Sequence, residues 1–240
     1  MKPGGVFILF GPSHLVAMAV IAATAVILPL IARLSRNPEN TTRRTAFYMT
    51  LVLLISKVSS YPIAYVMYGL ELRECLPMHL CDWSGIASII ALGWRKQLAF
   101  ELAYFWGLGG ALQATITPDL HQDFPGVRYF TFFFGHGVIL VAIAYMVFAM
   151  KMRPWPMSLV RIFIWSNIYL VAAGTVDFLT GENYGYLRDK PGAASLLDYL
   201  GPWPVYIFSL EGLALVSYLV YYAPFFVADL IRKKSAPTAT

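Results

Sequence analysis

The sequence predicts an all-α polytopic membrane protein of seven transmembrane helices, with the N-terminus outside and the C-terminus cytoplasmic, forming one domain over 1–240. Three observations carry that prediction. Of 240 residues, 58% are hydrophobic and only 13% are charged, where a soluble domain carries about 25% charged residues. Mean hydropathy is +0.62. Seven apolar stretches come near the roughly 20 residues that cross a bilayer, and the basic residues between them fall on alternating sides.

The stretches are 6–32, 45–68, 77–92, 98–116, 129–150, 157–179 and 205–231. The first is interrupted early by Phe10-Gly11-Pro12-Ser13-His14, yet runs on to Ile31. That is long for a signal h-region and lacks a clear cleavage site, so it reads as a retained span. The third is short and opens on Pro77, a residue suited to the first helical position, where its missing N–H costs nothing. The fourth carries Ala103, Gly107, Gly110 and Ala114 at helical spacing, a small-residue stripe that permits close helix packing. The outer connections around 117–126 and 180–204 hold their own aromatic and turn residues, as lids often do. No internal repeat of the inverted-transporter kind is visible.

Charge fixes the expected orientation. Arg33, Arg36, Arg43, Arg44, Arg95, Lys96, Lys151, Arg153, Arg232, Lys233 and Lys234 fall on one side. Lys2, Arg73, Arg128, Arg188 and Lys190 fall on the other, among seven acidic residues. Eleven against five puts the first set in the cytoplasm. The net charge of +5 therefore reflects membrane sidedness and calls for no nucleic acid. Membrane lipids are the expected partners, the cell membrane is the expected location, and the oligomeric state is left open.

Ionisable groups at membrane depth are expensive, so each is a functional candidate. His14, His79, Asp82, Gln113, His136, Asp177 and Glu211 come from six different stretches, and all fall in the outer half of the bilayer. One polar cavity opening outward accounts for them. Lys57, near the middle of the second stretch, is placed to neutralise Glu211 or Asp177. His79 and Asp82 are three apart and share a helix face. His79 and Cys81 lie about 200° apart around a helix, so they cannot form a dyad within it. A Cys81 nucleophile would take its base from another helix, with His14 and His136 available. The two cysteines, Cys75 and Cys81, exclude a cysteine-rich zinc site. A Cys75–Cys81 disulfide is feasible on an oxidising face, and a packing role for Cys81 is the plainer alternative.

Several motifs carry a resemblance. Phe10-Gly11-x-x-His14, Leu76-Pro77-Met78-His79-Leu80-Cys81, Gly109-Gly110-Ala111-Leu112-Gln113, Phe133-Phe134-Gly135-His136-Gly137, Thr180-Gly181-Glu182-Asn183-Tyr184 and Leu200-Gly201-Pro202-Trp203-Pro204 resemble the bacterial YwaF-like integral membrane family. That family is distantly similar to a eukaryotic transmembrane acyltransferase that moves fatty acyl chains between phospholipids. The resemblance implies a Cys nucleophile in an Asn-Pro-Cys-His motif. Here the matching positions are Leu76-Pro77-Met78-His79. The His is kept, Met78 stands where the nucleophile would be, and Cys81 lies three residues on.

Three functions compete on these residues. In a lipid acyltransferase or hydrolase, His79 or His136 would be the base, Cys81 the nucleophile and Asp82 or Asp177 the orienting carboxylate. His14, Lys57, Gln113, Asn183, Tyr184 and Glu211 would bind substrate, and no soluble cofactor is required. In an outward-open binder or transporter, Glu211 and Lys57 would serve as ion or proton groups. A metal-dependent hydrolase could use three His and a carboxylate, but no His-x-x-x-His occurs, and no metal ligand is assigned. The enzyme reading ranks first.

Overall fold

The computed structural model describes residues 5–192 and 196–235; Lys2, counted above with the outer positives, lies outside them. In chain order the main helices are α1 (Pro12–Leu34), α2 (Pro38–Tyr68), α3 (Leu80–Trp94), α4 (Gln97–Trp106), α5 (Leu112–Ile116), α6 (Val127–Phe148), α7 (Pro156–Thr180) and α8 (Val205–Ser235). A π turn, Gly107–Ala111, joins α4 to α5, so 97–116 runs as one rod. Pairing outside helices among the described residues is a single antiparallel bridge, Val6 to Gln122.

Local chemistry sets most boundaries. Asn37 caps α2 by accepting from the Asn40 N–H at 3.2 Å, with Pro38 at the first helical position. Gly69 and Gly181 end α2 and α7 in the left-handed conformation that glycine adopts without steric cost. Arg95 takes the same conformation at the α3–α4 corner, and its guanidinium donates to the Met150 carbonyl at 2.9 Å.

Five helices, α1, α2, α6, α7 and α8, are long and apolar enough to cross a membrane. Large apolar side chains on them stand more than half exposed, among them Val20, Ile55, Val171, Phe208 and Val216. Faces of that extent are foreign to a soluble monomer and suit lipid. The centre is α4, with Phe100, Phe105 and Trp106 buried against Ile139 and Met146 of α6. The Trp106 indole donates to Ser166 Oγ (2.9 Å), which bonds the Tyr218 hydroxyl (2.7 Å), so one chain of hydrogen bonds ties α4, α7 and α8.

Several expected boundaries are corrected. The first span begins at Pro12, not Val6, because 5–7 pair with 121–123: Phe7 N–H donates to the His121 carbonyl and Asp123 N–H to that of Gly5. Helix α2 starts at Pro38, so Arg43 and Arg44 lie on it and not in a loop. Helix α3 begins at Leu80 and Pro77 lies outside it, since the preceding backbone is bonded to tyrosine hydroxyls. At 15 residues α3 is ~22 Å long by the usual rise, short of the ~30 Å hydrocarbon core.

The helices alternate in direction, and contacts define two ends. At one, Tyr145 OH reaches the Thr42 carbonyl, Gln97 reaches that of Arg153, and Arg153 pairs with Asp229. Buried Glu101 also sits toward this end, held by Gln97 and by Arg161 at 3.3 Å. At the other end His14 meets Thr115, Tyr184 meets Leu76, and Tyr206 meets Tyr186. The polar cavity opens at that second end.

Candidate functional site

A cavity of about 960 Å³ is enclosed by α2, α3, the π turn, α6 and the connection after α7. Its first wall is the segment 76–79. Pro77 cannot donate, Met78 N–H turns back to the Leu76 carbonyl at 2.7 Å, and two groups are bound from outside: Leu76 N–H donates to Tyr184 Oη at 3.0 Å, and Tyr169 Oη donates to the Met78 carbonyl at 3.0 Å. Tyr184 also donates to the Arg73 carbonyl. Burial pushes its phenol up to about 12, so the hydroxyl keeps its proton for that bond. The backbone thus stays extended through His79, which caps α3 and sets its ring edge-on to Tyr184 at 5.0 Å.

Helix α3 then places Cys81 and Asp82 in its first turn. Asp82 Oδ1 meets Lys57 Nζ of α2 at 2.7 Å, and the same ammonium donates to the Cys81 carbonyl at 3.3 Å. The partner expected for Lys57 was Glu211 or Asp177; it is Asp82, because α2 packs directly on α3. Gly85 makes that reach possible: a Cβ there would sit 2.4 Å from Lys57 Cε. Across the cavity the π turn presents Gly109 and Gly110, and a Cβ at Gly110 would stand 3.2 Å from Cys81 Sγ. Single π turns inside helices are frequent at functional sites.

His136 completes the ring of groups. Its Nδ1 lies 2.8 Å from the Phe132 carbonyl. A carbonyl only accepts, so Nδ1 carries a proton and donates it to this bond. His136 is therefore oriented by its own helix, with Nε2 turned away from that bond.

Lys57, His79, Cys81, Asp82, Gln113, His136, Asn183 and Tyr184 line this cavity. Three candidates stand elsewhere. His14 is 0% exposed; its Nδ1 accepts from Phe10 N–H at 2.9 Å and its Nε2 donates to the Thr115 carbonyl at 2.8 Å. With both nitrogens engaged it is a clamp between α1 and α5, and it is not the partner base proposed for Cys81. Asp177 is 1% exposed and its Oδ1 accepts from Tyr184 N–H at 2.7 Å, so it holds the roof loop from behind. Glu211 lines a second, smaller cavity. Neither Asp82 nor Asp177 is bonded to a histidine ring; His136 is oriented by the Phe132 carbonyl instead. Cys75 and Cys81 are both free thiols. Among the described residues no three His, Cys, Asp or Glu side chains converge as a metal-binding group.

Tyr186, Gly85, Gly109 and the Phe132 carbonyl also belong to the site, though the sequence assigns none of them a role there. Tyr186 roofs the cavity beside His79 at 6.3 Å between ring centroids, and its hydroxyl lies 3.4 Å from Asp119. The spacing Tyr184-Gly185-Tyr186 in a long outer loop was its available signal.

The model of the TMEM164 family matches residues 9–222, nearly the full chain and every element of this cavity. The chain belongs to the TMEM164 family. The resemblance read from the sequence was to YwaF-like proteins; the match shows a multi-pass membrane family. An uncharacterized protein of Treponema pallidum (strain Nichols) is 23% identical over 226 residues, 92% of this chain and 91% of the relative. No solved structure matches.

Proposed function

We propose that this TMEM164-family protein is a lipid-active enzyme of the cell membrane, performing acyl transfer or ester hydrolysis in an outward-facing cavity. The observation that supports it is the cavity itself. It puts a free thiol, a histidine held through Nδ1, and a cation paired to a carboxylate around one space at the end of the helices. The charge asymmetry supports seven passes with the N-terminus outside, counting the short α3 and the 97–116 rod as spans. The likeness to YwaF-like proteins and to a transmembrane phospholipid acyltransferase supports the same chemistry.

In the proposed reaction the Cys81 thiol attacks the carbonyl carbon of a phospholipid ester. His136 Nε2 takes the thiol proton and returns it to the departing alkoxide, leaving a lysolipid and an acyl thioester. A second alcohol or water then attacks the thioester with the same base and regenerates the thiol. His79 and Lys57 face the polar part of the lipid. The test is turnover of a phospholipid with a labelled acyl chain in proteoliposomes. Cys81→Ser and His136→Ala should each lower it by orders of magnitude, while His14→Gln should retain it. Full activity in Cys81→Ser would remove the thioester route. Wild-type inactivity on a broad phospholipid panel, with a small polar solute bound instead, would favour the binder or transporter reading.

A further inference from the structure

A second cavity of about 190 Å³ lies beside the first, between α4, α7 and α8. Four residues line both: Leu80, Gly109, Gly185 and Leu210. The two spaces are therefore neighbours across one border, the neck, formed by the first residue of α3, the π turn, the roof loop and α8. Their linings differ in kind. The large cavity carries Lys57, Asp82, His79 and His136. The small one is walled by Phe105, Phe163, Leu170, Ile207, Leu213 and Ala214. Its hydroxyls are already engaged, Ser166 with Trp106 and Tyr218, Tyr169 with the Met78 carbonyl and Ser217 with that of Leu213, which leaves Glu211 as its one carboxylate.

We propose that the small cavity is an acyl-chain slot, and that the substrate is an amphiphile threaded through the neck. Its ester and headgroup lie in the large cavity and one fatty chain runs between α7 and α8 to the surrounding lipid. The inference rests on the lipid-active reading above and adds the orientation of the substrate and the residues that read its chain. A polar chamber joined to an apolar one matches a molecule with one polar and one apolar end. An apolar slot beside a bilayer needs no solute to fill it, since lipid chains lie against the outer faces of α7 and α8, where Val171 and Phe208 are exposed.

Gly109 sets the width of the neck. A Cβ built there meets no atom within 4 Å, in contrast to Gly107 two residues earlier, whose Cβ would stand 2.3 Å from Ile143. The first atom of a side chain at 109 would therefore meet open space at the neck. Apolar pockets register chain size in modest steps, about 10-fold or more per methylene at a snug site.

The experiment uses the full protein in liposomes with two photoactivatable phosphatidylcholines, one with the reactive group on the headgroup and one with it along an acyl chain. Crosslinked residues are mapped by mass spectrometry. The expected result is headgroup labelling of the large cavity and chain labelling of Phe163, Leu213 and Ala214. Gly109→Leu should cut the chain labelling at those positions at least 5-fold and leave headgroup labelling in place. Ala214→Leu, placed on α8, is the second variant should Gly109→Leu fail to fold. Headgroup labelling in the large cavity with chain labels only on the outer helix faces would overturn the slot and leave the lipid reading standing. So would unchanged slot labelling in both folded variants. No labelling in either cavity would overturn both.

Discussion

The Lys57–Asp82 pair shows how one contact organises the site. The two side chains are 18% and 22% exposed, so neither is fully solvated. Removing one partner leaves the other charge partly buried and uncompensated. Lys57→Met should cost about 2–3 kcal/mol, less than the cost of breaking a fully buried pair, read as a drop in thermal midpoint in detergent. Asp82→Asn in that background should recover part of the loss, because it removes the orphaned charge. That the histidines and carboxylates cluster toward one end was legible from their depth along each apolar stretch. Which of them meet was not. Hydropathy gives height in the membrane and says nothing of rotation about a helix axis, so Lys57 was matched to the wrong carboxylate and His14 to the wrong role. The Phe132 carbonyl was invisible because every residue has one.

Among the elements, the rod 97–116 and the segment before α3 matter most. The small stripe of α4 is a packing surface at Ala103 and Gly107, where Ile143 and the Ser84 hydroxyl come close, but at Gly110 it faces the Cys81 sulfur in the cavity. The π turn makes the change by rotating the following residues. Leucine at 107 would overpack the α4–α6 contact and should destabilise by about 1–3 kcal/mol or more. His14 acts at the same level, fastening α1 to α5. His14→Leu keeps the volume but strands the Phe10 N–H and the Thr115 carbonyl, so it should cost about 1–3 kcal/mol for each group left unpaired, with turnover per folded molecule unchanged. Element existence and order were readable because apolar runs are long and basic corners punctuate them. The start of α3 was not, because the tyrosines that hold 76–78 out of the helix come from 169 and 184, far along the chain.

For the whole molecule, two ends of opposite character frame the account: a basic end tied by Arg95, Arg153 and Asp229, and a roofed end where tyrosines bind loop backbone. The proposed orientation sets the roofed end outside. In a background lacking Cys75 and Cys81, a cysteine at Asn183 should react with a membrane-impermeant thiol reagent in intact cells, and one at Lys151 only after permeabilisation. The opposite pattern would move the cavity to the cytoplasmic leaflet. The proposed reaction requires that Cys81 carry an acyl group taken from a membrane lipid. It is tested most directly by the mass of the Cys81 peptide after the protein is quenched during turnover of an acyl-labelled phospholipid. The expected result is one labelled acyl group on Cys81, released by neutral hydroxylamine and absent from His136→Ala. Turnover with an unmodified Cys81 peptide at every time point would contradict it.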